Sequence, residues 1–277
     1  MEQDVYLSEV IDFLATNSIG WQPAFLENTP FFCVRLEPSD VVLHLVSLQL
    51  VRQHQLDASF FKKISASASS QKLRVIHLWE DVWRSHQELV KARLLALAGH
   101  SAKIHARLCE VKRIDRLTAD KFLETNHLQV LTTSKFKYGL FIKSAYQARY
   151  NTPTLVAVAT FSGGRNFIKE QQTHRSYELI RFANLMGCTV VGGLDKLLQA
   201  FIREHHPNDV MTYADRDWSD GRSYEKLGFR YEEALPPQVF FLDPTTLTRH
   251  YPHRLQHVPE GWLEIHNAGS LKYRLTL

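Results

Sequence analysis

At 277 residues, 44% apolar and 22% charged, the chain has the make-up of a soluble, core-forming protein with room for one large or two modest domains, which argues against intrinsic disorder. Thirty-three Lys and Arg against 29 Asp and Glu leave a formal charge of +4, which suits an anionic partner without demanding one. Cys33, Cys109 and Cys188 stand far apart in no ligand spacing, which argues against a disulfide framework or a zinc site and fits a reducing cytoplasm, and the absence of an export signal or of a run near ~20 apolar residues argues against a membrane.

In chain order, Tyr6 to Leu14 places Tyr6, Val10, Phe13 and Leu14 on one helical face, and Gly20, Pro23 and Pro30 then break the pattern. Phe31 to Leu36 and Val41 to Leu50 read as strands joined by a Pro38-Ser39-Asp40 turn, although the second stretch also fits a helix. The Ser/Ala run Ser65 to Ser70 reads as a loop. Leu73 to Leu78 is a buried strand that runs into Trp79-Glu80-Asp81-Val82-Trp83, and apolar residues at helical spacing continue to Leu97 before Gly99. Glu80 and Asp81 are placed to cap a helix beginning near Val82 and to favour its positive end.

The second half begins with a basic strand, Lys103 to Val111, a helix over Leu117 to Glu124, and His127 just beyond it. Phe136 to Ile142 and Leu155 to Phe161 look like neighbouring antiparallel strands, with a tight turn at Ser162 to Arg165. Ser176 to Leu185 is read as a helix with Tyr177, Ile180 and Leu185 inward, so that Glu178 and Arg181 form either an exposed ion pair or contacts to an anionic substrate. Thr189 to Leu194 is a strand leading through Gly192 and Gly193 into a helix over Asp195 to Ile202. Free amides, close approach and the helix dipole make such a junction a place for phosphate, while tight strand-to-helix packing is the plainer use of the glycines.

Val210 to Phe229, VMTYADRDWSDGRSYEKLGF, reads as strand, charged loop with Asp215, Arg216, Asp217 and Trp218, short helix with Tyr224 and Leu227 on one face, and a left-handed stop at Gly228. Val239 to Leu242 is a final strand, and His250 to Leu277, with His253, Arg254, Trp262 and Tyr273, is an aromatic, basic extension without a motif.

The order of Val210 to Phe229, ending in YEKLGF, resembles the last block of the GNAT acyltransferase superfamily, over about residues 104 to 243. The resemblance implies a mixed, mostly antiparallel α/β sheet flanked by helices, acetyl-CoA or another acyl-CoA as donor, and Tyr224 beside the departing thiolate. It further implies that the coenzyme's pyrophosphate rests at Val191, Gly192, Gly193 and Lys196, though Thr189 and Leu194 depart from the family's loop and Asp195 adds a negative charge. His127 and the ELIRF element with Glu178 and Arg181 resemble the family's Mom-like, DNA-modifying branch. Asp215 or Asp217 would take the acceptor amine's proton, with Arg216 and Trp218 beside the substrate, or else close the loop. The LRVIHL strand followed by WEDVW resembles very-short-patch-repair-like and phage homing endonucleases over about residues 35 to 100. The expected organisation is therefore a nuclease-like α/β domain over 1–102, an acyltransferase domain over 103–249 and an extension over 250–277. The expected activity is acyl transfer from coenzyme A to an amine, including one on nucleic acid. The alternative is a DNA-binding relative of homing endonucleases, either degenerate or cutting with magnesium at Glu80 and Asp81.

Overall fold

The computed structural model describes residues 5–169 and 171–277. The chain divides into two compact units, each assembled from several stretches: one from the residues up to Lys91, Ala214–Arg222 and Glu232–Lys272, the other from Ala92–Tyr213, Ser223–Tyr231 and Tyr273–Leu277. The architecture is mixed α/β, with no closed barrel among the described residues.

The first unit holds a sheet in the order Trp21–Ala24, Phe32–Leu36, Val41–Val46, Arg74–Trp79. Its last two strands run parallel and the others antiparallel. All six residues of Val41–Val46 are buried, which is why that stretch lacks the polar alternation that would have marked it as a strand; the helix begins only at Leu48. The Ser/Ala run is not a loop. It is the second half of the Phe60–Ser70 helix, because Phe61, Ile64, Ser65 and Ala68 make one buried face and the Ser69 hydroxyl returns to the Ser65 carbonyl at 2.8 Å. A small antiparallel sheet of Val239–Leu242 with Arg249–His250 and Leu263–His266 adds Phe240, Leu242 and Ile265 to a core shared with Phe31, Phe61 and Trp79.

Inside this unit a chain of polar side chains is closed off from water. Thr29 Oγ1 meets His44 Nε2 at 2.7 Å, His44 Nδ1 meets His77 Nδ1 at 2.8 Å, and His77 Nε2 meets Ser65 Oγ at 2.8 Å. Only one proton fits between the facing Nδ1 atoms, so one neutral ring donates there and the other accepts. Burial pushes the His44 imidazole down to about 3 and that of His77 well below its ordinary value, the latter helped by the neighbouring His44 and Arg216.

The second unit holds most of a sheet whose strands lie in the order Arg230–Leu235, Ser270–Thr276, Asp209–Asp215, Gln172–Asn184, Leu155–Phe161, Phe136–Ile142, Cys109–Arg113. The stretch read as an extension thus supplies an inner strand of this sheet. Leu155–Phe161 is covered on both faces. Phe161 stacks on Phe201 of the Gly193–His205 helix with centroids 3.9 Å apart, and Val158, on the other side of the pleat, packs with Ala119, Phe122 and Leu123 of the Arg116–Asn126 helix.

Residues 176 to 184 are not a helix but the greater part of the Gln172–Asn184 strand. Tyr177, Ile180 and Leu185 have helical spacing, yet Tyr177 and Leu179 are buried at a spacing of two, with strands paired on both flanks as far as Leu179 and on one flank from there to Asn184. The Gly193–His205 helix carries the chain from this strand to its parallel neighbour, Asp209–Asp215.

Candidate active site

The two central parallel strands of the second unit are paired over only part of their length. Ser176, Tyr177, Glu178 and Leu179 face Asp209, Val210, Met211 and Thr212, and pairing ends there. On its other side the Gln172–Asn184 strand stays paired with Leu155–Phe161 as far as Asn184, but with a register shift between Leu179 and Arg181 that makes Ile180 a bulge residue. A bulge bends its strand and strengthens the twist. The edge from Ile180 to Asn184 therefore parts from the neighbouring strand, and among the described residues no other strand pairs with it.

Tyr224 sits at this fork. Its phenol shares a hydrogen bond with the side chain of Thr212, whose hydroxyl donates to the Leu179 carbonyl at 3.0 Å. Burial pushes the phenol up from its ordinary value, against the Thr212 bond and the charges of Arg181 and Arg93. Phe229 and Tyr273 hold the ring at centroid distances of 5.7 and 5.9 Å. Arg181 donates to the carbonyls of Ile180 at 2.9 Å and Val130 at 3.3 Å. His127 belongs to the same neighbourhood: burial, then Arg181 and Arg93, drive its imidazole down to about 3. Its Nδ1 accepts from the Gln129 amide at 3.1 Å, which assigns the ring proton to Nε2 and makes His127 a hydrogen-bond donor. Glu178 is half-buried, and burial raises its carboxyl against the charges of Arg181 and Arg165.

Val191, Gly192 and Lys196 line a separate cleft of about 530 Å³, with His105, Arg107 and Arg203 as further basic groups and Asp195 as the acidic one. The cleft lies where the parallel strands Ala102–His105 and Cys188–Val191 end. Gly192 has φ +74° before the helix, and a Cβ on Gly193 would come within 3.0 Å of Val190, so the first glycine serves the turn and the second the close packing. Lys196 is held by the carbonyls of Ala106 and Cys109 at 2.9 and 2.7 Å. Tyr224, Glu178 and Arg181 do not line this cleft.

Asp215, Arg216, Asp217 and Trp218 belong to the first unit. Asp217 is 4% exposed and takes the Trp79 indole N–H at 3.1 Å and the Ala268 amide at 2.8 Å. Burial, then the charge of Asp215, raises its carboxyl to about 7. Its bonds are those of a carboxylate that closes a loop. Asp215 accepts from the Asp217 amide at 3.0 Å, Arg216 donates its amide to Gly269 at 3.1 Å, and the Trp218 carbonyl accepts from Arg74 at 2.8 Å.

Glu80 and Asp81 do not cap their own helix, Glu80–Ser85. Glu80 accepts from the Leu48 amide at 2.9 Å, at the start of a different helix, and from Arg84 at 2.9 Å, while buried Asp81 holds Arg249 at 2.6 and 2.9 Å. Among the described residues no group of three or more His, Cys, Asp or Glu side chains is placed to hold a metal ion.

Sequence reading missed Thr212, an ordinary strand residue whose place at the last pair is visible only in the sheet. It also missed Arg107 and Arg203, which join the glycine junction through the pairing of Ala102–His105 with Cys188–Val191. The basic AKIHAR stretch was the one available signal for that wall.

No family model and no curated protein matches this chain. Among solved structures its neighbours are GNAT acetyltransferases of low identity. An acetyltransferase from Bacillus subtilis in complex with CoA is similar at 12% identity and a TM-score of 0.32, over 61% of this chain and 99% of that one. An acetyltransferase assigned to the GNAT family from Desulfovibrio desulfuricans is similar at 13% identity and a TM-score of 0.33, over 61% and 98%. The NatC complex bound to Gag peptide and CoA gives 11% identity and a TM-score of 0.34, over 61% and 98%. Likenesses this distant say nothing of substrate or activity. No helix among the described residues is long and apolar enough to cross a membrane.

Proposed function

We propose that the second unit is an acyltransferase that moves an acyl group from an acyl-coenzyme A to an amine. The observation that carries this reading is the fork: pairing stops at Leu179 and Thr212, the bulge at Ile180 turns one strand away, and a protonated phenol stands at the point of divergence. An acyl thioester supplies an activated carbonyl; the chain must supply binding, a polarising donor and a proton. The strand edge beyond Leu179 offers backbone groups that no other described strand uses, and Tyr224 holds its proton because burial outweighs the nearby cations. Tyr224 is the acid for the leaving sulfur, His127 Nε2 and Arg181 present positive hydrogen to a developing negative charge, and Glu178 receives the acceptor amine.

The residues around the cleft fit the phosphate end of such a donor. Gly192 and Gly193 open a helix whose first amides have no intrahelical partner, and His105, Arg107, Lys196 and Arg203 surround it with donors, offset by Asp195. The test is calorimetric titration of the protein with acetyl-coenzyme A. Micromolar binding with transfer of label to an amine supports the reading; no binding, together with no acyl transfer to a panel of polyamines, peptides and nucleobases, overturns it. Nothing in the first unit supports magnesium-dependent cutting by Glu80 and Asp81, since both carboxylates are held by arginines, and Glu80 also by a backbone amide.

A further inference from the structure

Glu178, which receives the amine in the proposed transfer, has an arginine on either side of it along the sheet. The Ser162 amide donates to the Glu178 carbonyl and the Glu178 amide to Ser162 Oγ, both at 2.9 Å, so the two residues lie opposite each other. A two-glycine turn follows Ser162, and the strand Arg165–Lys169 then pairs back with Gln172–Asn184, Arg165 lying opposite Ser176. Leu179 pairs with Phe161, which stacks on the Gly193–His205 helix, so Glu178, one residue earlier, faces the other way. Ser176, two residues before Glu178, shares its face, and so does Arg165 across the pair. Arg181 is opposite Thr160, the neighbour of Phe161, and is on that face as well.

The turn leaves Arg165 little freedom of position. A Cβ on Gly164 would come within 2.6–2.9 Å of the Tyr177 ring, and that ring is buried against Phe201 at a centroid distance of 5.1 Å, so only glycine fits there. Burial raises the Glu178 carboxyl, and Arg181 and Arg165 both act against it, which agrees with the register. The two arginines differ in their own contacts. Arg181 is held by the carbonyls of Ile180 and Val130, whereas Arg165 is exposed and its guanidinium makes no hydrogen bond or ion pair among the described residues.

One carboxylate between two guanidiniums leaves a net positive charge. An acceptor that brings only an ammonium is drawn by Glu178 and repelled by both arginines, while an amine that also carries an anion meets an opposite charge at each end. We infer that Arg165 is a specificity-determining residue that binds an anionic group on the acceptor, and that the acceptor is a small amine bearing a carboxylate or a phosphate-like group. Diagonal neighbours in a sheet stand about 7–8 Å apart, so the amine and the anion are set a few bonds from each other. This inference rests on the acyl-coenzyme A reading and names its acceptor class.

Steady-state kinetics with acetyl-coenzyme A test it on four acceptors of matched length: butylamine, 4-aminobutanamide, 4-aminobutanoate and 3-aminopropylphosphonate. The expected result for the wild type is a kcat/KM about tenfold higher for the two anionic acceptors than for the amide, equal to ~1.4 kcal/mol, and the order of those two tells carboxylate from phosphonate. Arg165→Gln is expected to lose the preference through a higher KM for the anionic acceptors, and Arg165→Lys to keep most of it. Equal kcat/KM for all four, or a preference that survives in Arg165→Gln, overturns the inference and leaves acyl transfer standing. Turnover of none of them by a wild type that binds coenzyme A in calorimetric titration does the same. Failure of coenzyme A to bind the wild type overturns both readings, and weaker coenzyme A binding by Arg165→Gln assigns Arg165 to the donor and overturns the inference alone.

Discussion

The phenol of Tyr224 meets the side chain of Thr212, and Thr212 is the last residue of its strand to face a partner, Leu179, before the two parallel strands separate. The phenol is thereby held where the pairing of these two strands ends. Replacing Tyr224 with Phe removes the proton and keeps the ring against Phe229 and Tyr273. The expected outcome is a fall in kcat of about 10²-fold or more with the KM for the donor little changed, measured by steady-state kinetics. Because burial raises the phenol, it stays protonated through neutral and mildly alkaline pH; the wild type should lose activity only above the ordinary tyrosine range, and that alkaline limb should be missing from Tyr224→Phe.

Charge in the cleft should show itself as salt dependence. Arg107 and Arg203 are exposed, so on the proposed reading each would contribute a screened attraction to a phosphate. Substituting either with Ala is expected to weaken coenzyme A binding about threefold to tenfold at low ionic strength and much less at ~0.5 M salt, where the screening length shrinks. A loss that does not depend on salt would contradict an electrostatic role.

The His44–His77 pair predicts acid sensitivity of the first unit. His44 falls to about 3 in the fold against about 6.5 when exposed, so the unfolded chain binds the proton first. The stabilising contribution is complete above the unfolded value and is lost as pH falls from about 6.5 toward 3. By pH 5 the loss from His44 alone is about 2 kcal/mol. Urea unfolding at pH 7.5 and 5 should show it, and a His44→Phe, His77→Leu double variant should unfold with a flatter pH profile between those values.

Asp81 and Arg249 are a buried pair, with the guanidinium also stacked 4.8 Å from the centroid of the Trp79 ring. Asp81→Ala leaves Arg249 short of its counterion and should destabilise by about 3–5 kcal/mol in chemical denaturation. The double variant Asp81→Leu, Arg249→Met should recover most of that, because the cost lies in the stranded charge more than in the lost attraction.

What the sequence disclosed was whatever is decided locally. The Val210 to Phe229 segment could be read because strand, polar loop, short helix and the left-handed Gly228, at φ +87°, each carry a local signature. The junction at Gly192 and Gly193 was legible for the same reason. The long strand at Ser176 to Leu185 was misread because Tyr177, Ile180 and Leu185 mimic a helical stripe, and only the strands on either side of it decide the matter. Ser65 to Ser70 failed in the opposite direction, since serines that look like a loop are held in a helix by the buried face they share with Phe61 and Ile64. The place of Ser270–Thr276 inside the sheet depends on partners tens of residues away, and no window of sequence contains them.

Ile180 is one residue more than its partner strand can match. Because side chains alternate between faces, that single surplus sets where everything after it points: Arg181 pairs opposite Thr160, and Asn184 opposite Ala157. Delete Ile180 and the strand would regain an unbroken register, with Arg181 to Asn184 still opposite Thr160 to Ala157. The strand would also lose the kink that turns it from its neighbour, and the sheet would be free to zip shut.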